Sequence, residues 1–168
     1  SLQMTATIQG FAPLYIQRIA QLTNKSNQFN LTTLRCSEED IRTMAEDADY
    51  LCLCGKLVDK FGDNGIVTVV AGQQQGSALH MRLWLMSCRV LKRGMEDAMM
   101  DTLMRHAAAR GIEKIVGYYY PTAKNAMVRE FYAQFGFAKT QESEQGTTWE
   151  LNVADYLPRN PHMKIEEA

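Results

Sequence analysis

The sequence lacks the features that mark several specialised protein classes. No apolar run approaches the roughly 18 residues that a membrane-spanning helix needs, and no charged N-terminal region precedes a long hydrophobic one. These absences predict a cytoplasmic protein with no membrane partner. Basic and acidic side chains nearly balance, 18 against 19, for a net charge of -1, so we expect no nucleic-acid partner. Any anion site in this chain has to be local.

Cysteine and histidine are scarce, and their spacing excludes two common uses. The chain has 4 cysteines, with neither the dense spacing of a disulfide framework nor a paired C-x-x-C zinc pattern. Cys52 and Cys54 lie in an apolar run, which predicts reduced packing thiols. Of the 3 histidines, His106 and His162 have no partner at metal-ligand spacing. The sequence therefore predicts no metal site.

The apolar material suffices for one compact domain. Hydrophobic residues make up 46% of the 168 residues, and neither an internal repeat nor a linker divides them. We expect residues 1–12 to form an N-terminal segment, of which residues 1–3 resemble a vector remnant. Residues 13–153 then form a single domain, and residues 154–168 form a polar, loosely held C-terminal tail.

Hydrophobic periodicity predicts alternating helices and strands. Helices are expected at residues 13–23, 37–49, 95–110 and 126–135. Strands are expected at residues 31–36, 50–58, 66–71, 78–86, 115–120, 137–141 and 147–153. This order is typical of an α/β fold, with a mixed central sheet of about six or seven strands and helices on both faces.

A basic turn joins the strand at residues 78–86 to the helix that follows. The stretch SCRVLKRGME, residues 87–96, places three cations, Arg89, Lys92 and Arg93, before the glycine Gly94. Backbone N–H groups at a helix start bind anions, so the turn is either a phosphate site or a solvated basic loop. Glu96 is a carboxylate in the first helical turn. It either favours the helix dipole or indicates a ligand with less charge than a diphosphate.

A second motif, KNAMVREFYAQFGF, covers residues 124–137. It places Asn125 at a predicted helix start and Tyr132 two turns further on. The two residues are either a helix cap and a core aromatic, or two members of a ligand site.

Together the two motifs resemble the GNAT acyltransferases over nearly the whole chain. The resemblance implies a GNAT-like sheet and an acyl-CoA or phosphopantetheine thioester as the donor. It implies that the Gly94 turn binds phosphate, that Asn125 contacts the pantetheine arm, and that Tyr132 is the general acid for the departing thiolate. The implied donor-binding residues are Met86, Ser87, Cys88, Arg89, Lys92, Arg93, Gly94 and Asn125.

Four stretches are similar to a narrower group within that superfamily: RIAQLTNKSNQFNLTT, FGDNGIV, SCRVLKRG and PTAKNAMVREFY. They resemble the C-terminal GNAT-like domain of FkbH-like proteins, HAD-superfamily proteins of polyketide biosynthesis. That resemblance implies a HAD-type domain in the full-length protein. It also implies an acyl carrier protein as partner and a glyceryl or other small acyl unit as cargo, with a small-molecule acceptor as the alternative.

The chain departs from many amine-acetylating relatives because its strand at residues 78–86 carries no carboxylate base. His80 on that strand and Cys88 beside Arg89 are the nearest candidates, as a base and as a nucleophile or acyl relay. Structural roles in packing are the alternative for both. Two function classes stay open: an acyltransferase, and a non-catalytic module that docks a carrier protein for a neighbouring HAD-type domain.

Overall fold

A computed structural model describes residues 3–91 and 94–168, within which the chain forms a mixed sheet flanked by helices. The strands are β1 (Thr5–Gln9), β2 (Tyr50–Asp59), β3 (Gly62–Gln75), β4 (Ala78–Met86), β5 (Lys114–Tyr119), β6 (Ala138–Ser143), β7 (Gly146–Asn152) and β8 (Lys164–Glu167). The helices are α1 (Ile16–Lys25), α2 (Glu38–Glu46), α3 (Met95–Ala109) and α4 (Phe131–Gln134).

The sheet has the strand order β6-β7-β5-β4-β3-β2-β1-β8. The β4–β5 and β1–β8 pairs are parallel, and the other neighbouring pairs are antiparallel. The predicted α/β class with a mixed sheet is confirmed. The sheet has 8 strands because the short terminal strands β1 and β8, which the periodicity did not reveal, pair with each other at one edge.

Helices cover both faces of the sheet, as predicted. The apolar sides of α1 and α2 pack on one face, and those of α3 and α4 pack on the other. Strand β4 contributes to both layers because its side chains alternate: Leu83 and Leu85 face the first, Trp84 and Met86 the second. The methionines of α3 are buried in the second layer, as expected of core residues.

Local sequence chemistry sets where the helices begin. Ser37 caps α2: its Oγ accepts from the Asp40 amide at 3.1 Å, and the Asp40 carboxylate accepts from the Ser37 amide at 2.9 Å. Gly94 precedes α3 with a φ of 87°, a left-handed conformation that favours glycine. The helix predicted at residues 126–135 is wrong in extent, because a 3-10 turn (Ala126–Val128) comes first and α4 has only 4 residues.

The C-terminal tail is polar, as expected, but it is not loosely held. Asp101 of α3 is 7% exposed, and its carboxylate accepts from the Tyr156 hydroxyl at 2.5 Å and from the amides of Arg159 and Asn160 at 2.9 and 2.8 Å. Strand β8 then pairs with β1. Across residues 3–91 and 94–168, no helix combines the length and the apolarity that crossing a bilayer would require.

Candidate functional site

The two central parallel strands separate after a short paired stretch. Strands β4 and β5 pair only where Ala78, Leu79 and His80 face Lys114, Ile115 and Val116. Beyond that point β4 runs on to Met86 and β5 to Tyr119 without pairing to each other. In an open α/β sheet, the carboxyl ends of such diverging strands are where ligands bind.

Three residues of the α1–α2 loop, residues 29–31, fill this divergence, and we refer to them as the wedge. The Leu31 amide donates to the Trp84 carbonyl at 3.0 Å, and the Met86 amide donates to the Phe29 carbonyl at 3.0 Å. On the other side the Tyr120 amide donates to the Leu31 carbonyl at 2.9 Å. The wedge therefore acts as a short extra strand between β4 and the end of β5.

The wedge is buried and forms part of the core. Phe29 is 6% exposed, while Asn30 and Leu31 are fully buried. The Phe29 ring packs edge-on against Phe131, with 5.5 Å between ring centroids. Burying a Phe and a Leu side chain is worth about 1.5–3 kcal/mol each, a large part of the stability of a domain of this size. A ligand would have to offset that loss to displace the wedge.

Asn125 holds the wedge in place, and its predicted role as a contact for the pantetheine arm stays a prediction. Its Nδ2 donates to the carbonyls of Asn30 and Tyr120 at 2.9 and 3.0 Å, and its Oδ1 accepts from the Thr122 amide at 2.8 Å. The Tyr119 hydroxyl donates to the same Oδ1 at 3.3 Å. The side chain is fully buried and satisfied by its own chain, so it offers no free group to a ligand.

Tyr132 lies in the core, packed over Gly117 of β5. It is 1% exposed, and its ring covers Gly117 so closely that a Cβ there would collide with it. Its hydroxyl has no hydrogen-bond partner among the described residues. Burial raises the pKa of this hydroxyl far above its usual range. The rings of Trp84, Phe131 and Phe137 pack around the side chain and keep it from solvent, and its predicted role as general acid stays a prediction.

A pocket of about 660 Å³ opens next to the wedge, and Cys88 lies in its wall. We call it the Cys88 pocket. Loop residues 26–28 form one side and residues 86–88, at the end of β4, form the other. Its complete lining is Arg18, Leu22, Lys25, Ser26, Asn27, Gln28, Met86, Ser87, Cys88 and Lys124. The volume falls in the range of small-molecule sites, about 300–1,000 Å³.

The Cys88 pocket is strongly basic. Arg18, Lys25 and Lys124 line it, and no carboxylate does. Within the part of the chain that the structure describes, none of these three cations forms an ion pair with an acidic side chain. Arg89 lies near enough to reinforce the effect of burial, which lowers the pKa of Arg18. Unpaired cations around a concave surface attract an anionic ligand.

Cys88 is the accessible cysteine of this chain. It is exposed, and its thiol donates to the Gln28 Oε1 at 3.2 Å across the pocket. Burial raises the pKa of Cys36 to about 11 and the pKa values of Cys52 and Cys54 to about 12, which suits packing thiols. Of the four cysteines, Cys88 is therefore the one whose thiol a ligand in the pocket can reach.

The Gly94 turn is already occupied by the chain itself. Pro161 and Met163 lie against it, since a Cβ at position 94 would meet their side chains at 3.4 and 3.3 Å. The Glu96 carboxylate accepts from the amides of Gly94 and of Glu96 itself, while burial raises its pKa. The carboxylate thus takes the place that an anion would take at this helix start.

The remaining predicted donor-binding residues fall in different places. Met86 is buried with its backbone on the wedge, and the Ser87 hydroxyl accepts from the Arg89 amide at 3.4 Å. Arg89 also donates to the Asn64 carbonyl at 3.4 Å. Lys92 and Arg93 lie outside the described residues.

His80 is not part of the same site as Cys88. It lies six residues before Met86 on β4, about 20 Å along an extended strand. Its Nδ1 is 2.7 Å from the Tyr118 hydroxyl, and burial, with Arg82 and Lys114 nearby, lowers its pKa. A base there cannot serve chemistry at the pocket. No group of three or more metal-ligating side chains occurs in the two described ranges.

The sequence alone did not predict the wedge or the three cations that line the pocket. Arg18, Lys25 and Lys124 are separated in sequence and meet only because α1, β4 and the β5–α4 loop converge. The stretch NQFNLTT is polar, and in the sequence only Phe29 and Leu31 indicate that it enters the core, where Asn30 is fully buried between them.

The solved structures similar to this chain include several N-acetyltransferases and the GNAT domain of S. lividans PAT. Ribosomal-protein-S18-alanine N-acetyltransferase from Escherichia coli matches with a TM-score of 0.66 and 12% identity, over 94% of this chain and 99% of that one. PaiA N-acetyltransferase from Thermoplasma acidophilum, in complex with coenzyme A, matches with a TM-score of 0.64 and 14% identity, over 88% and 98%.

Spermidine N-acetyltransferase from Vibrio cholerae, in complex with CoA and spermine, matches with a TM-score of 0.63 and 9% identity, over 92% and 98%. At these identities the likeness establishes the fold, and this chain therefore has the GNAT fold. No protein-family profile matches the sequence, and no curated protein matches it either.

Proposed function

We propose that this domain binds an acyl-phosphopantetheine thioester in the Cys88 pocket and transfers the acyl group through Cys88. The observation that carries the proposal is the meeting of one exposed thiol with three unpaired cations in a pocket of about 660 Å³. A phosphopantetheine arm has a phosphodiester at one end and a thioester at the other. Cations suit the phosphate, and a thiol is the usual nucleophile for a thioester.

The transfer needs no metal and no redox partner. The Cys88 Sγ attacks the thioester carbonyl carbon, a new C–S bond forms, and the bond to the pantetheine sulfur breaks. The proton that the Cys88 thiol gives up ends on the departing pantetheine sulfur, and Gln28, which accepts from the thiol at 3.2 Å, orients it before the attack. The acyl-Cys88 thioester then passes the acyl group to an acceptor nucleophile.

A carrier-protein arm suits the domain better than free acyl-CoA. A CoA diphosphate at the Gly94 turn would meet the Glu96 carboxylate and the side chains of Pro161 and Met163. The negative charges of the diphosphate and of the Glu96 carboxylate repel each other. The single phosphodiester of a carrier arm needs only the pocket cations. This favours an acyl carrier protein as partner, with a small acyl unit such as glyceryl, as the sequence resemblance to FkbH-like proteins implies. A neighbouring HAD-type domain fits the same resemblance.

A second candidate is a non-catalytic module that docks the loaded arm for such a neighbouring domain. It is favoured by the sealed position of Tyr132 and by the absence of a carboxylate from the pocket lining. In this reading the cations hold the arm, and Cys88 takes no acyl group.

The test is the mass of the intact protein after incubation with an acyl carrier protein that bears an acetyl or glyceryl thioester. We expect the mass to rise by one acyl group, with the modified peptide containing Cys88. The Cys88→Ala variant should gain nothing, and the matched control Cys52→Ala should behave as wild type. Carrier binding without any acyl adduct would favour the docking module, and neither binding nor an adduct would reject both.

A further inference from the structure

The wedge lies between the Cys88 pocket and the core interior. Loop residues 26–28 line the pocket, and the wedge follows them directly in sequence. Met86 lines the pocket too, and its amide donates to the Phe29 carbonyl at 3.0 Å. The inner end of the pocket is therefore the place where loop and strand join.

Behind the wedge lie aromatic rings and one unpartnered hydroxyl. Phe131 packs against Phe29, Trp84 and Tyr132, with ring centroids 5.5, 5.0 and 5.1 Å apart. The Tyr132 hydroxyl has no partner in the described chain. An apolar chain that passed the wedge would enter this aromatic layer, so the wedge lies between a polar, basic pocket and an apolar interior.

Two buried amides fix the wedge rigidly. The Asn125 Nδ2 donates to the Asn30 carbonyl at 2.9 Å. The Asn30 side chain donates to the Ser26 carbonyl at 3.1 Å and accepts from the Thr33 amide at 2.9 Å. Thr33 has a φ of 53°, a left-handed value that is unusual for a β-branched residue and that the surrounding bonds must maintain. The loop is thus built to hold one conformation.

We propose that the wedge determines acyl-chain specificity: it closes the inner end of the Cys88 pocket and restricts the site to short acyl groups. Phe29 is the specificity-determining side chain, because it is the ring that separates the pocket-lining loop from Phe131. The inference rests on the proposed function, since it concerns the ligand of the same pocket. It adds a property that the proposed function does not require, namely selection by length.

The experiment measures binding without relying on catalysis. S-ethyl, S-butyl and S-octyl thioethers of 4′-phosphopantetheine cannot transfer an acyl group, and calorimetric titration gives their dissociation constants. For wild type we expect the S-octyl compound to bind about tenfold more weakly than the S-ethyl compound. In Phe29→Ala the two constants should differ by less than about threefold, because the removed ring opens a path for the longer chain.

Phe135→Ala is the matched control, since Phe135 also packs on Phe131, at 5.1 Å between centroids, but lies directly after α4, outside the loop that runs from the pocket lining into the wedge. It should keep the wild-type preference for the short chain. Phe29→Leu keeps most of the volume and serves if Phe29→Ala fails to fold, with a smaller shift in the same direction.

The outcomes separate the two proposals. Binding of all three thioethers with the same affinity by wild type, or an unchanged ratio in folded Phe29→Ala and Phe29→Leu, would overturn the role of the wedge and leave the proposed function intact. No binding of any thioether to wild type would overturn both.

Discussion

At the scale of single residues, removing the Tyr132 hydroxyl distinguishes a structural role of this side chain from a catalytic one. A buried hydroxyl without a partner costs about 1–3 kcal/mol relative to an apolar group of the same shape. We therefore expect Tyr132→Phe to leave the free energy of unfolding unchanged or to raise it by about 1 kcal/mol, measured by urea denaturation. Acyl loading of Cys88 should not change. Loss of acyl loading of Cys88 without a change in the free energy of unfolding would support the general-acid role of Tyr132.

Asn125 should have the opposite effect, because it is buried and fully bonded. Asn125→Ala leaves the Asn30 and Tyr120 carbonyls without the donor that now bonds both. We expect a loss of about 3 kcal/mol in the free energy of unfolding, measured in urea. Asn27→Ala is the control, since the Asn27 side chain only accepts from the partly exposed Arg35 on the same loop, and it should cost less than about 1 kcal/mol. Equal losses of stability in the two variants would contradict the role of Asn125 in holding the wedge.

At the scale of elements, local signals revealed most of the fold and little of the site. The strand β4, the helix α3 and the turn between them were predictable because periodicity and a glycine at a helix start are local in sequence. The segment at residues 31–36 was wrongly predicted as a strand. The segment has residues that favour strands, but only the wedge, which ends at Leu31, pairs with β4. That pairing joins residues more than 50 positions apart in sequence.

The Asn125 to Tyr132 spacing predicted a continuous helix that the structure does not have. Two helical turns place two side chains on one face only when the helix is continuous, and here a 3-10 turn precedes a four-residue helix. Both residues are buried, but Asn125 faces the wedge and Tyr132 faces Gly117. Burial and partners of these residues depend on the loop at residues 26–33, which no local pattern connects to them.

Helix α3 gives a pH-dependent prediction at its first turn. Burial raises the pKa of Glu96 above its ordinary value, so the folded state holds this proton more tightly than the unfolded chain does. Stability is then lost as the pH rises from the unfolded to the folded pKa. We expect Glu96→Gln to be more stable than wild type at pH 7, with the difference disappearing below pH 4, measured by thermal unfolding across pH. A difference that grows toward low pH would reverse the assignment.

At the scale of the whole molecule, the charges are segregated although their sum is only -1. Among residues 3–91 and 94–168, the lysines and arginines that form ion pairs with acidic side chains are Arg42, Lys56, Arg105, Lys114, Lys139 and Lys164, and the His106 Nε2 lies 2.6 Å from Glu167. None of them lines the Cys88 pocket. Arg35 and Lys124 line a neighbouring pocket of about 370 Å³, again without a carboxylate, so the basic surface extends beyond the first opening. A chain with balanced charge thus lines two adjoining pockets with cations and no carboxylate, and such a surface attracts anions.

That segregation predicts a salt-dependent association with an acidic carrier protein. Lys25→Glu and Lys124→Glu place like charges where the proposed arm and its protein approach, so each should weaken binding of the loaded carrier by about tenfold at low salt. Lys60→Glu is the control, because Lys60 lies on the β2–β3 turn against Phe61 and does not line the pocket. The wild-type dissociation constant should rise steeply between about 50 and 300 mM salt as screening increases, and the two charge-reversed variants should respond less. Equal effects of all three substitutions, or an affinity that salt leaves unchanged, would show that the basic surface does not guide the partner.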